Sequence, residues 1–104
     1  MKEIKAIIQP FMLHRILAAL HTIEDLPGIT IGEVRGISAA RGELDQLVCS
    51  KIEIMVPDAL VEPVLQAIQS HAHTGNPDDG HIYVIPIEQI VRIRTGERGD
   101  SAIE

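Results

Sequence analysis

Arg92 and Arg94 stand two residues apart in Val91-Arg92-Ile93-Arg94, and on an extended strand that spacing puts both guanidinium groups on one face. A guanidinium is a planar fork of donors, so two of them side by side could clamp a polyphosphate. Taken alone, the pair reads more readily as a salt-bridged sheet edge, the commoner role of such arginines. Arg98 adds a third cation nearby, in a chain with 9 basic and 15 acidic side chains. Cations concentrated in one stretch of a chain of net charge −6 favour an anion site over general basicity.

Thr74-Gly75-Asn76-Pro77-Asp78-Asp79-Gly80-His81 is the second candidate, because glycine turns expose backbone N–H groups to phosphates. It matches neither G-x-x-x-x-G-K-[ST] nor G-x-G-x-x-G, and by composition alone it reads as a helix stop and turn. The five histidines raise a metal reading. His14 and His21 on one helix would lie about 10.5 Å apart along its axis, too far to share a zinc at about 2.1 Å. His71, His73 and His81 cluster in sequence with Asp78 and Asp79, and ligands from several chains could converge there. A metal-responsive binding protein is therefore the alternative reading. Cys49 is the single cysteine and no C-x-x-C occurs, so an intrachain structural zinc site lacks its usual ligands. No nucleophile elbow, H-E-x-x-H or kinase signature is present; no catalytic residue is assigned and no enzyme is expected.

These residues must be positioned by a small fold. In residues 2–9, Ile4, Ala6 and Ile8 alternate onto one face of a strand that ends at Pro10, with Ile7 on the other face. Leu13, Ile16, Leu17 and Leu20 then form one stripe of an amphipathic helix. Ile29, Ile31 and Val34 mark a second strand reaching Gly36. The period dissolves over residues 37–50, read as a connecting loop. Residues 51–56 are a third strand, with Ile52, Ile54 and Val56 pointing one way and Lys51, Glu53 and Met55 the other. Asp58 is the candidate N-cap of a second helix with the stripe Val61, Val64, Leu65, Ile68 and Ala72, in which Pro63 sits awkwardly deep. Residues 81–87 give a fourth strand and residues 90–94 a short fifth. The order β-α-β-β-α-β predicts an α+β, ferredoxin-like antiparallel sheet with both helices on one face. The sheet's other face, carrying Ile7, lacks a cover, which predicts association with other copies.

Composition sets the outer limits. A chain of 104 residues suits a single domain, 1–104, and 45% hydrophobic with 23% charged residues excludes disorder. The acidic balance argues against nucleic acid as a partner, and Phe11 and Tyr83, its only aromatics, make no base-stacking platform. No apolar run approaches the roughly 20 residues of a membrane span, and no signal peptide is visible, so no membrane insertion is expected. One cysteine fits a reducing, cytoplasmic setting.

Five ordered segments together resemble one family. They are Ala6-Ile7-Ile8-Gln9-Pro10-Phe11, Thr30-Ile31-Gly32-Glu33-Val34-Arg35-Gly36, Lys51-Ile52-Glu53-Ile54-Met55-Val56-Pro57-Asp58, Thr74-Gly75 with Asp79-Gly80, and Val91-Arg92-Ile93-Arg94-Thr95-Gly96-Glu97. The chain is similar over nearly its whole length to the PII signal-transduction proteins. The resemblance implies a homotrimer that binds an adenine nucleotide (ADP, AMP or ATP) in clefts between subunits. In the family ATP with Mg is often coupled to 2-oxoglutarate, and a long T-loop docks partner proteins, among them membrane transporters. Carried onto this sequence, Ile7 and Thr30 would lie near the adenine, Gly36 at the loop base, and Glu53 and Val56 on the adjoining strand. Asp79, Gly80 and His81 would belong to a nucleotide-binding turn, 74–81. Arg92 and Arg94 would meet phosphates across the cleft from the C-terminal segment, 92–104.

The departures from that pattern carry their own expectations. His81 stands where the family usually has a phosphate-binding lysine, and histidine is neutral near pH 7. Pro77-Asp78 replaces the middle of the usual turn, and Ala39-Ala40 aligns with an Arg-Gln pair that serves phosphate, Mg and 2-oxoglutarate. Weaker γ-phosphate contacts predict a preference for ADP or AMP over ATP. The T-loop, 37–50, is about ten residues shorter than usual, though still long for a hairpin. It has no tyrosine, which excludes tyrosine uridylylation there.

Overall fold

The computed structural model describes residues 1–37 and 46–103. Four strands form one antiparallel sheet, β1 (Lys2–Ile8), β2 (Ile29–Ile37), β3 (Gln46–Val56) and β4 (Gly80–Pro86), in the spatial order β2-β3-β1-β4. Helix α1 (Leu13–His21) connects β1 to β2, and α2 (Val61–Ala72) connects β3 to β4.

Period-two alternation decides which side of each strand is covered. Across the sheet, Ile29, Ile54, Ile4 and Val84 form one row, and Ile31, Ile52, Ala6 and Ile82 the row two residues along. Ile4, Ala6, Ile8, Ile52, Ile54 and Val56 are buried against Ile16 and Leu20 of α1 and Val64, Ile68 and Ala72 of α2. Both helices therefore share one face, as the order of elements predicts. The opposite, outer face carries the rows Thr30–Glu53–Lys5–Tyr83 and Gly32–Lys51–Ile7–His81. It leaves Met55 44% and Tyr83 48% exposed.

Three expectations need correction. The β2–β3 hairpin is longer than predicted: Gly36 pairs with Leu47 and Ile37 with Gln46, so the 37–50 connection shrinks to residues 38–45, which lie outside the described residues. The alternation was concealed because Ser50, a polar residue, occupies a buried core-side position, while Cys49 and Leu47 continue the outer face.

The fifth strand, 90–94, is not formed. The segment folds back on itself instead, with the Arg92 N–H donating to the Glu97 carbonyl at 2.9 Å and the Gly96 N–H to the Arg92 carbonyl at 2.7 Å. Gly96 takes φ +74° to close that turn, and only an isolated bridge, Val91 to Arg98, remains of strand pairing. Arg92 and Arg94 thus lie on a turn, not on one strand face.

Asp58 does not cap α2. A one-turn 3₁₀ helix, Asp58–Leu60, precedes it, and the Asp58 carboxylate instead pairs with the N-terminal ammonium at 2.9 Å. That hydrogen bond, the ammonium's charge and that of Lys2 lower the Asp58 pKa. Pro63 becomes acceptable because it falls in the first turn of α2, where backbone N–H groups have no intrahelical partner in any case.

Candidate functional site

One end of the sheet gathers four of the predicted residues. Register places Ile7 opposite His81 and Ile8 opposite Gly80, and the base of the β2–β3 hairpin brings Gly36 and Leu47 alongside. Ile7, Gly36, Gly80 and His81 line a groove of about 330 Å³, together with Ile37, Leu47, Cys49, Pro77 and Asp78. Its floor is apolar and its only ionisable walls among the described residues are Asp78, His81 and the Cys49 thiol. The His81 ring stacks on Tyr83, two residues on along the same face, with centroids 6.4 Å apart and planes 8° from parallel.

The 74–80 turn is built around Asp79. One carboxylate oxygen accepts the Thr74 and Gly75 N–H groups at 2.7 and 2.9 Å; the other accepts the Thr74 hydroxyl and the Gln9 amide, the latter at 2.8 Å. The Thr74 hydroxyl is the first of the hydrogen bonds that hold the Asp79 pKa below the usual aspartate value. Asp79 thus spends its acceptors on the turn and on β1's continuation at Gln9. Its role is to shape the wall of the groove. Asn76 makes a second local brace, its side-chain oxygen accepting the Asp78 N–H at 2.8 Å. Gly80 is required sterically: at φ +107° a Cβ would collide with the Ile7 carbonyl oxygen and stand 2.9 Å from its carbon.

The other predicted residues lie elsewhere. Thr30 and Glu53 are cross-strand partners on the outer face, and Glu53 pairs with Lys51 at 3.1 Å. The hydrogen bond from Lys51 is the largest influence lowering the Glu53 pKa, with the charges of Lys51 and Lys5 adding to it. Val56 is fully buried in the core, on the face away from Glu53, so its side chain is unavailable to a ligand on the outer face. Met55 is the residue that shares that face, and strict alternation from Glu53 identifies it.

Arg92 and Arg94 follow β4 at the opposite end of the sheet, where Pro86 pairs with Lys2. β4 itself spans about 20 Å from Gly80 to Pro86. Arg92 is anchored there by Glu97 at 3.3 Å and by the Ser101 carbonyl at 3.2 Å, while Arg94 is exposed. The protomer therefore carries two incomplete clusters, a groove at one end and arginines at the other.

The metal alternative finds no such convergence. The His71 ring nitrogen faces the Ala67 carbonyl at 2.8 Å and the Ser70 hydroxyl at 3.1 Å, whereas His73 lines a cavity of about 360 Å³ beside Asp79 and His81. Among the described residues no three His, Cys, Asp or Glu side chains gather as a ligand set.

The family profile described as Nitrogen regulatory protein P-II matches residues 1–97. The Nitrogen regulatory protein P-II of Rhodospirillum rubrum is 46% identical and that of Azospirillum brasilense 44%, each over 113 positions covering 99% of this chain and all of the relative. Against a chain of 104 residues, 113 aligned positions leave at least nine without a counterpart here. The crystal structure of Arabidopsis thaliana PII bound to citrate superposes with a TM-score of 0.84 at 37% identity, over 97% of this chain and 90% of that one. No helix among the described residues is long and apolar enough to cross a membrane. With the sheet order, the outer face and the full-length matches in agreement, the chain belongs to the P-II family of nitrogen regulatory proteins, which are signalling proteins and not enzymes.

Proposed function

We propose that this protein is a homotrimeric adenylate sensor of the cytoplasm, binding one nucleotide in each cleft between copies and passing its state to a protein partner. The observation that carries the reading is the division of the site. Ile7, Gly36, Gly80 and His81 form the groove at one end of the sheet, while Thr30, Glu53, Met55, Arg92 and Arg94 lie away from it. An apolar groove with glycine backbone suits a nucleobase and sugar, but its phosphates need cations, and Arg92 and Arg94 of the same protomer do not line that groove. A second copy brings its own arginines to the first copy's groove. The half-exposed Met55, Tyr83 and Ile85 of the outer face supply the apolar surface for that association.

ADP or AMP is favoured over ATP, because the groove sets the Asp78 carboxylate near the phosphate path and offers a histidine in place of a permanent cation. The partner docks through the β2–β3 hairpin, and a membrane transporter is the class that the resemblance suggests. Calorimetric titration with ATP, ADP, AMP and citrate, with and without Mg and 2-oxoglutarate, tests the ligand. The expected result is saturable binding of ADP or AMP, weaker ATP binding and indifference to 2-oxoglutarate.

Replacing Arg92 and Arg94 together by Ala should lower ADP affinity at least about tenfold, the scale of a charge-assisted hydrogen bond. The mass in solution should remain that of three chains. Because Arg92 also braces Glu97 and Ser101, Arg94→Ala alone is the companion variant. Unchanged affinity in both would refute the assignment of the arginines.

A further inference from the structure

We infer that Glu3, Lys5, Lys51 and Glu53 form an ion cluster that selects the chains with which this protein assembles, admitting copies that carry the same charge pattern and excluding chains that carry it reversed. The inference rests on the association of copies and not on the nucleotide.

Register places the cluster. Lys5 and Glu53 are cross-strand partners, and Glu3 and Lys51 stand two residues from them on the same face of β1 and β3. Lys5 meets Glu3 at 3.5 Å, and Lys51 meets Glu53 at 3.1 Å. Among the described residues, these four supply every permanent charge that the strands place on the outer face. Glu3 lies at one end, the Lys5–Glu53 row in the middle and Lys51 at the other end, so the cluster is neutral as a whole but acidic at one end and basic at the other.

The cluster cannot stay hydrated when copies meet. Met55 and Ile85, part of the apolar surface for association, are the cross-strand neighbours of Glu3 on either side, and Tyr83 is the neighbour of Lys5. A surface that covers Met55 and Ile85 therefore also covers the Glu3 between them. The four charged side chains are only 24–32% exposed, so they already lie along the face instead of reaching into water. Glu3 Oε1 is out of contact with solvent and makes no hydrogen bond, with the Lys5 ammonium at 3.5 Å. The carboxylate thus keeps acceptor capacity for a donor on the facing copy.

Charges covered in this way discriminate between partners. Taking an ion out of water costs free energy that only opposite charges and hydrogen bonds offset. A copy of the same sequence brings an acidic and a basic end that can face their opposites. A chain of reversed pattern, docked in the same geometry, sets like charges against each other.

The test is native mass spectrometry of co-expressed full-length chains. It uses wild type in two distinguishable masses and a chain reversed at all four positions (Glu3→Lys, Lys5→Glu, Lys51→Glu and Glu53→Lys). The two wild-type masses should mix at random in three-chain species. The reversed chain should assemble with itself, and species mixing it with wild type should fall at least about tenfold below random mixing. Glu3→Gln is the milder variant, because it leaves Lys5 covered without its counter-charge. Its dissociation constant between copies, from a dilution series at fixed urea, should rise about tenfold. Glu33→Gln, which alters an exposed carboxylate on the helix side of β2 opposite Ser50, should leave that constant unchanged. Should the reversed chain fail to fold, the Glu3→Gln constant alone supports or overturns the inference. Random mixing of wild-type and reversed chains, or a Glu3→Gln constant equal to that of wild type, overturns it and leaves the association of copies intact. Wild-type protein with the mass of one chain overturns the homotrimer reading and this inference with it.

Discussion

Replacing Gly80 by Ala should damage the fold and the groove together, and the size of the effect follows from backbone geometry. Gly80 adopts φ +107°, a region that strains any L side chain by roughly 1–3 kcal/mol. A Cβ there would also strike the Ile7 carbonyl, a main-chain atom in the centre of the sheet that cannot rotate aside. The start of β4 must then move off β1, weakening adjacent ladder hydrogen bonds at about 0.5–1.5 kcal/mol each. Strain and lost pairing together reach about 3 kcal/mol or more, against a total near 5–15 kcal/mol for a domain of this size. With a urea slope of roughly 1–2 kcal/mol per molar, the unfolding midpoint should fall by about 2 M at fixed protein concentration. Gly75→Ala is the internal control, since φ there is +88° but a Cβ would meet open space. It should lose only the strain. Equal midpoints for the two variants, or a Gly80→Ala midpoint within about 0.5 M of wild type, would refute the collision as the reason for glycine.

Two further outcomes separate roles that sequence alone leaves mixed. Asp79→Asn should lower the unfolding midpoint at neutral pH, because Asn cannot accept all of the hydrogen bonds made by the carboxylate. Since folding depresses the Asp79 pKa, its contribution is present above the ordinary value of 3.8 and is lost as pH falls through the lower folded value; urea titrations should show the gap between wild type and Asp79→Asn closing in that window. Met55→Glu should weaken ADP binding and the association of copies together, whereas Val56→Ala, which empties a fully buried site, should cost roughly 1–3 kcal/mol and leave affinity unaltered. The opposite pattern would place the ligand on the wrong face of β3.

The core was legible because alternation and helical stripes are periodic signals that tertiary contacts reinforce. Ile4, Ala6 and Ile8, the outward Ile7, and Val64, Ile68 and Ala72 could all be assigned from spacing alone. Boundaries failed where one residue contradicted the period. Ser50 hid the first five residues of β3, itself included, because a polar side chain at a core position looks like the end of a strand. In residues 90–94 the alternation Val91, Ile93 suggested a strand, but an isolated segment forms one only with a partner alongside, and Gly96 turns the chain back before pairing can extend. Asp58 has the composition of a cap yet meets the N-terminal ammonium, a contact between residues distant in sequence that no local rule contains.

The site was half legible for a different reason. Residue type identifies what can meet a phosphate or a base, but not which ends of a sheet those residues occupy. Arg92, Arg94, Gly80 and His81 fall within 15 residues of sequence, and proximity along the chain suggests one cluster. The straight run of β4 makes them two. On the proposed reading this division is functional. A ligand that must touch the groove of one copy and the arginines of another binds the assembled form alone, so ligand occupancy and assembly stabilise each other. The groove also includes Gly36, Ile37, Leu47 and Cys49 at the base of the β2–β3 hairpin, so whatever fills it contacts the strands from which the partner-facing loop departs. Binding energy that distinguishes two hairpin arrangements is then sufficient to shift their populations, and neither a catalytic step nor a covalent change is needed to carry the signal.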